Sequence, residues 1–444
     1  MNGYRLLVVG TLVGSLNFYP VAWAESLEQI VKQALNNHPN ALIGLKKIQG
    51  EQEKVDAAWA GYLPTLDIAI SGGGQKRQLT PDLRDIEGST HDKSFTRKEG
   101  SLSFKQNIFS GFNTLQTVTQ AKYLTNAEKY QLGVILEDLA LQVTNAYLNI
   151  LEKKELLELA EDNVKLHDKI HNLIKKRTEQ GIARSSDLAQ IEGRQAKANA
   201  NLLNAHNNLA DADSEYYALV GEKPPKEMLL PAIADLSLPD SLDEALVKMI
   251  NHHPSILAAD YKIKAAESDY KAQKSRYYPS LDLTVDQNWK TNNDGSKGTT
   301  EDFQAMVKLN YNLFRGGEDI ARVQESAYKM EESRAEKTKQ LRVMEENLKL
   351  AWYNYEFLKE RIRYLRKHEE ASQKTLDAYQ EQFYIGKRTL LDLLDTENEL
   401  FQSSQSLTEA TYEEVSSRYR ILSGIGQLLN AFNLAWGREW SQDD

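Results

Sequence analysis

Residues 303–313 read Phe-Gln-Ala-Met-Val-Lys-Leu-Asn-Tyr-Asn-Leu. Phe303, Ala305, Val307, Leu309, Tyr311 and Leu313 alternate with Gln304, Met306, Lys308, Asn310 and Asn312. Strand side chains point to opposite faces in turn, so this spacing predicts a strand with one apolar face. The same period holds upstream in 278–289, where Leu281, Leu283, Val285 and Gln287 alternate with Asp282, Thr284, Asp286 and Asn288. It holds twice more near the N-terminus. Leu66, Ile68 and Ile70 alternate with Thr65, Asp67, Ala69 and Ser71, and Leu102, Phe104 and Ile108 with Ser103, Lys105 and Asn107. The four segments form two hairpins, at 62–109 and 277–314, with polar loops expected at 72–100 and 290–301.

A soluble sheet can alternate in the same way. Here, however, each hairpin is flanked by long polar helices that offer no second apolar layer. The apolar face is therefore expected to meet lipid, and the strands are near the ~9–11 residues that cross a bilayer when tilted. Tyr62, Phe109, Tyr277, Tyr278, Trp289 and Phe314 fall at strand ends, where an aromatic girdle belongs. Four strands cannot sit alone in lipid, because their edges leave backbone groups unpaired. Two chains would close an eight-stranded barrel filled by side chains; three would close twelve strands around a wider, wetter interior. The Asp, Asn and Ser of the polar face favour three.

The hairpins belong to a duplicated unit. Residues 26–48, SLEQIVKQALNNHPNALIGLKKI, match 241–263, SLDEALVKMINHHPSILAADYKI. YLPTLDI at 62–68 matches YYPSLDL at 277–283, and NIFSGF at 107–112 matches NLFRGG at 312–317. Further on, Gly181 pairs with Gly386, Asp187 with Asp392 and Glu192 with Glu397. The organisation is a first repeat at 25–220, a linker at 221–240 with clustered prolines, a second repeat at 241–430 and a tail at 431–444.

Each repeat is expected to run short helix, second helix, hairpin, very long helix, glycine tip and return helix. From Phe112 to about Arg177 there is no proline and a single glycine, Gly133. Leu132, Leu136, Leu139, Val143, Tyr147, Ile150, Leu157 and Val164 form a coiled-coil-like stripe. Such a helix is roughly 100 Å long. The return helix, about 187–219, covers half of it, and the helix at about 40–60 covers much of the rest. The second repeat copies this with 316–383, 390–423 and 255–276.

Composition narrows the function. The formal net charge is −10 with no basic block, so nucleic acid is not an expected partner. Cysteine is absent, which removes disulfides and thiol chemistry. Mean hydropathy is −0.57, and no apolar run has the length of a transmembrane helix. Residues 1–24 differ: Arg5, then an apolar stretch from Leu6 to Gly14, then Ala22-Trp23-Ala24, the order of a secretory signal cleaved after Ala24. No phosphate loop, metal-ligand cluster or nucleophile motif is evident, so no enzyme, cofactor or metal site is expected. His38, His252 and His253 lie at helix breaks, and His167 with His171 reads as an i,i+4 pair on a solvated face. A periplasmic coiled-coil adaptor would share the helices but not the paired strands of both repeats.

The signal, the duplicated helix–hairpin–helix unit, N-x-F-x-G at the strand-to-helix junctions and GKRTLLDLLD at 386–395 together resemble the outer membrane factor family, the TolC-like exit ducts. The segment FYIGKRTLLDLLDTENELFQSSQ, 383–405, resembles most the members that serve type I secretion; multidrug-efflux members share much of the pattern. The resemblance implies a mainly α protein with a β-barrel portion. The helices would form a coiled-coil α-helical tunnel, and four strands per chain would join a shared 12-stranded barrel. It implies a homotrimer in the bacterial outer membrane, its helices in the periplasm. The partners would be an inner-membrane adaptor (membrane fusion protein) and an ABC-type or other inner-membrane transporter. It also implies a gate. Asp392 and Asp395 would line the narrowest point as acidic rings. Arg388 would tie one hairpin to the other through Ser186 and Asp187. Phe383 stands where a tyrosine is often found, and Tyr384 would substitute for its hydroxyl. The tip turns at Gly181 and Gly386 would dock partners.

Overall fold

The computed structural model describes residues 26–77, 93–231, 237–293 and 297–434. The expected signal segment and its cleavage position, and residues 435–444 of the tail, lie outside them.

The first repeat begins with α1 (Leu27–Asn37) and α2 (Pro39–Trp59). Ser26 and Gln29 form a reciprocal capping box that fixes the start of α1. Pro39 cannot continue α1 but suits the first turn of a new helix, and His38 supplies the cap: its Nδ1 accepts from Asn40 N at 3.1 Å. The strands β1 (Thr65–Arg77) and β2 (Lys93–Phe109) follow, then α3 (Asn113–Glu179) and α4 (Ser185–Val220). The second repeat copies the order: α5 (Leu242–His252), α6 (Pro254–Gln273), β3 (Ser280–Thr291), β4 (Thr299–Asn310), α7 (Glu318–Tyr384) and α8 (Leu390–Gly424). His253 caps α6 as His38 caps α2, its Nδ1 accepting from Ser255 N at 3.1 Å. A short α9 (Leu428–Ala431) ends the described chain.

The four strands form one antiparallel sheet in the order β1-β2-β3-β4. The first hairpin is longer than the sequence predicts. Its strands pair from Thr65↔Lys105 out to Arg77↔Lys93, through the three glycines 72–74 of the expected loop. The ladder of hydrogen bonds to β2 outweighs the poor strand preference of glycine. In the second hairpin β4 starts earlier, at Thr299, and ends at Asn310, so Tyr311 and Leu313 lie beyond it.

The long helices α3 and α7 each have 67 residues, roughly 100 Å. Near the sheet, α3 packs between α2 and α6, and α6 packs on α7. Further away α4 takes the place of α2, and α8 takes the place of α6. Two shorter helices end to end thus flank each long one, and the result is a layer four helices wide. Its main core surrounds the middle of α3, where Leu136, Val143, Tyr147 and Ile150 meet Tyr216, Met249, Tyr419 and Ile421. The linker is pinned there: the Tyr147 hydroxyl donates to Leu229 O at 2.7 Å and accepts from Leu229 N at 3.0 Å. Glu137, buried in the same region, caps α9 by accepting from Leu428 N at 3.1 Å and Leu429 N at 3.4 Å.

Candidate functional site

Two regions carry the functional geometry: the sheet at one end of the helices and the hairpin tips at the other.

The register sorts the sheet into two faces. Ile68 pairs with Leu102, Leu102 with Gln287 and Gln287 with Phe303; one step along, Leu66, Phe104, Val285 and Ala305 form the next row. Below them Leu283 pairs with Val307 and Leu281 with Leu309. The intervening rows are polar: Asp67, Ser103, Asp286 and Gln304, then Ala69, Ser101, Asn288 and Asp302. One face is thus a largely apolar band across four strands, interrupted by Gln287, and Leu66, Ile68, Ile70, Phe303, Val307 and Leu309 are all exposed on it. Exposed apolar surface this extensive marks an interaction with lipid or protein. Trp59, Tyr62, Phe112, Tyr277, Tyr278 and Phe314 ring the helical end of the sheet and are exposed. Among the described residues both outer strands, β1 and β4, have a partner on one side alone.

The junction from β2 to α3 requires glycine at position 111. Its φ is +64°, and a Cβ there would lie 2.7 Å from Ser275 O. This packs the end of the first hairpin against the start of the second.

At the far end both tips use one device. Gly181 (φ +74°) and Gly386 (φ +76°) adopt the left-handed conformation that ends a helix. Ile182 N donates to Arg177 O at 2.8 Å, and Lys387 N to Gln382 O at 2.8 Å, closing equivalent turns.

The two acids lie at the start of α8 on one side of the helix, and each has a partner. Asp392 Oδ2 accepts from the Thr389 hydroxyl at 2.8 Å and from Thr389 N at 3.2 Å, while Thr389 Oγ1 accepts from Asp392 N at 3.2 Å. The Thr389 hydroxyl, then its backbone N–H, hold the Asp392 carboxyl below the usual carboxylate range. Asp395 Oδ1 accepts from Arg194 Nη2 at 2.7 Å. Arg194 lies on α4, so this pair joins the two hairpins. Sequence reading missed Arg194, because nothing in its local pattern marks it.

The expected clasp is not made within one chain. Arg388 Nε donates to Gln382 at 3.0 Å, and its guanidinium lies 4.1 Å from the Tyr379 ring centroid, so it folds back along its own hairpin. Ser186 and Asp187 stand at the first turn of α4, on the other hairpin. Phe383 is buried among Ile170, Ile174 and Ile191 of the first hairpin and Leu390, Leu393 and Leu394 of the second. Arg177 stacks on it, 5.4 Å from the ring centroid. Phe383 therefore joins the hairpins by packing, where a tyrosine would leave a hydroxyl to satisfy. Tyr384 is exposed.

The His167–His171 pair is not a solvated face. His167 is buried, and its Nε2 lies 3.0 Å from Glu397 Oε2, with both side chains about 5% exposed or less. The acid comes from α8, more than two hundred residues away, so no local pattern could supply it. His171 is half-buried, 4.0 Å from Glu192 of α4. Glu192 and Glu397 are the repeat equivalents noted in the sequence, and α3 answers each with a histidine.

A sequence model of the outer membrane efflux protein family matches residues 30–222 and 245–427. The outer membrane efflux protein BepC of Brucella suis is 26% identical over 82% of this chain and 79% of its own length. The outer membrane protein TolC of Vibrio cholerae is 23% identical over 95% of both chains. In structure, a membrane protein from Pseudomonas aeruginosa superposes with a TM-score of 0.78 at 17% identity, covering 90% of this chain and 93% of that one. At that identity the likeness speaks for the fold.

Proposed function

Because the chain belongs to the outer membrane efflux protein family, we propose that it is the outer-membrane exit duct of a tripartite export machine, serving type I protein secretion. The observation that carries the duct is the sheet: one largely apolar face across four paired strands, with a register shift between Asn107 and Phe109, and two outer strands each lacking a partner on one side among the described residues. Backbone groups cannot stay unpaired in lipid, so β4 of one copy must meet β1 of the next. Strand directions alternate across the four, so that meeting is antiparallel and the ring closes. Three copies give twelve strands and a polar lumen. The flanks of the helical layer also fit: α7 exposes Ile320, Tyr328, Val343 and Phe357, and α2 and α4 expose Leu42 and Leu203. Residues 1–24 direct the chain across the inner membrane and leave after Ala24.

Three copies around one axis gather six carboxylates of Asp392 and Asp395 at the tip, and like charges so close favour bound cations. Arg388 then meets Ser186 or Asp187 of a neighbouring copy. The tip turns at Gly181 and Gly386 meet an inner-membrane adaptor and, with it, an ABC-type or other transporter.

The printed names of relatives favour a second reading. BepC is called an efflux protein, and TtgC of Pseudomonas putida, 20% identical, a probable efflux pump outer membrane protein. Small toxic compounds would then be the cargo. Deletion of the gene separates the two. Loss of one secreted protein from the medium with unchanged drug tolerance supports secretion; drug sensitivity with normal secretion supports efflux. An outer membrane fraction lacking the protein would remove both.

A further inference from the structure

Each helical hairpin is zipped along its own length, α3 on α4 and α7 on α8, and away from the sheet the two hairpins meet chiefly along α3 and α8. A change in the width of the tip that moves one hairpin against the other therefore acts along that seam. A buried polar cluster crosses it. Glu397 of α8 takes His167 Nε2 on one oxygen at 3.0 Å and the Asn163 amide on the other. A charge placed this deep in a packed seam is costly unless compensated.

The surroundings are defined on every side. From α4, Arg194 and Lys197 line the same small cavity, with Ala198 and Asn201. Arg194 is drawn off by Asp395 of α8, at 2.7 Å. One turn along α3, His171 faces Glu192 of α4 at 4.0 Å, and Asp168 accepts from Gln195 of α4 at 2.6 Å. The cavity holds ≈ 10 Å³, room for one water at most, so bulk solvent does not screen the pair. His167 Nδ1 has no hydrogen-bond partner, so Glu397 is the imidazole's one bonded contact among the described residues.

We propose that the buried His167–Glu397 pair, two residues along α8 from the tip acid Asp395, is a proton-graded lock between the two hairpins that holds the tip narrow. This rests on the duct reading above. With His167 charged, the pair is an ion pair with a charge-assisted hydrogen bond; with His167 neutral, the same contact is an ordinary hydrogen bond to a buried carboxylate. Charge-assisted bonds are about twice as strong as neutral ones. Adding a proton to the imidazole strengthens the contact and removing it weakens the contact, so the lock tightens in acid and slackens as pH rises. Arg194 and Lys197 oppose the charge on His167, but Asp395 holds the first at 2.7 Å.

The test uses the mature trimer in planar bilayers at pH 5.5 and 8.0. The wild-type ratio of open to closed dwell time should rise about fivefold between them. His167→Gln keeps a donor and should hold the ratio flat, at the wild-type pH 8 level. Glu397→Gln should also flatten it. A His167→Gln profile identical to the wild type overturns the lock, as does a wild-type ratio that falls as pH rises. Detergent-resistant trimer bands confirm that each variant folds. Hydrogen exchange of residues 160–170 and 394–404 in detergent needs no channel. At pH 6 the wild type should be more protected than His167→Gln, and at pH 8 the difference should close. Equal protection at pH 6 overturns the lock. Conductance absent from the wild type removes the duct reading instead.

Discussion

The Arg194 guanidinium on α4 donates to the Asp395 carboxylate on α8 at 2.7 Å, so one of the two tip acids is already joined to the other hairpin within a single chain. The acid that the family resemblance assigns to a pore thus also ties hairpin to hairpin. Its side chain remains 59% exposed, which limits what the pair contributes to stability. The effect belongs to the position of the hairpins.

Arg194→Ser should therefore leave the melting temperature nearly unchanged and raise single-channel conductance. An exposed pair is worth under about 1 kcal/mol, which bounds the shift in the open-to-closed ratio at about fivefold. Planar-bilayer recording of the wild type and the variant checks this.

At the tip, Asp392→Ala combined with Asp395→Ala should abolish block of the channel by divalent or trivalent cations. Asp392→Asn alone keeps part of the Thr389 cap and should lose part of the block. Arg388→Ser should widen the closed state on its own. Conductance measured against added magnesium reads the first two, and conductance without it reads the third.

On the sheet, Val307→Arg should prevent assembly in the outer membrane, because a cation on the lipid face costs about 2–4 kcal/mol near mid-depth. Met306→Arg, one residue away on the polar face, should assemble normally. Trimer bands from membrane fractions distinguish the two, and equal assembly of both would contradict the assignment of faces.

Gly386→Ala should destabilise the tip by about 1–2 kcal/mol, since φ there is +76°. Nothing lies within 4 Å of the missing Cβ, so the cost is one of backbone alone. Thermal melting followed by circular dichroism measures it.

Glu137 gives a pH dependence of opposite origin to an ion pair. Burial pushes its carboxyl up to about 8, against the lowering effect of the Leu429 and Leu428 N–H groups. The folded value lies above the unfolded one, so its contribution is full below the ordinary carboxylate range and fades as pH rises toward 8. The wild type should lose melting temperature between pH 5 and pH 9, and Glu137→Gln should lose less. Parallel melts at the two pH values check the difference.

Much of this fold is written locally. The period of two in 303–313, the proline after His38 and His253 and the glycines at 181 and 386 each specify their own neighbourhood. Duplication then supplies a second copy of every signal, and the helix bounds follow to within a few residues. What is less legible depends on distant partners. The glycines 72–74 argue for a loop until the β2 ladder is present. The burial of His167 depends on Glu397, and the tie of Asp395 on Arg194; neither partner is near in sequence. Phe383 shows the same limit: a missing hydroxyl is visible in the sequence, but the apolar pocket that receives the ring is assembled from four helices.

The unpartnered edges of β1 and β4 carry a genetic consequence. A subunit altered on one edge, by proline in β1 for instance, can still offer its sound edge to a neighbour. It would enter the ring and leave it unsealed. Mixed expression with the normal allele should then poison most assemblies, and intact rings should fall as the cube of the normal fraction. Dominance, in this architecture, follows from hydrogen bonding.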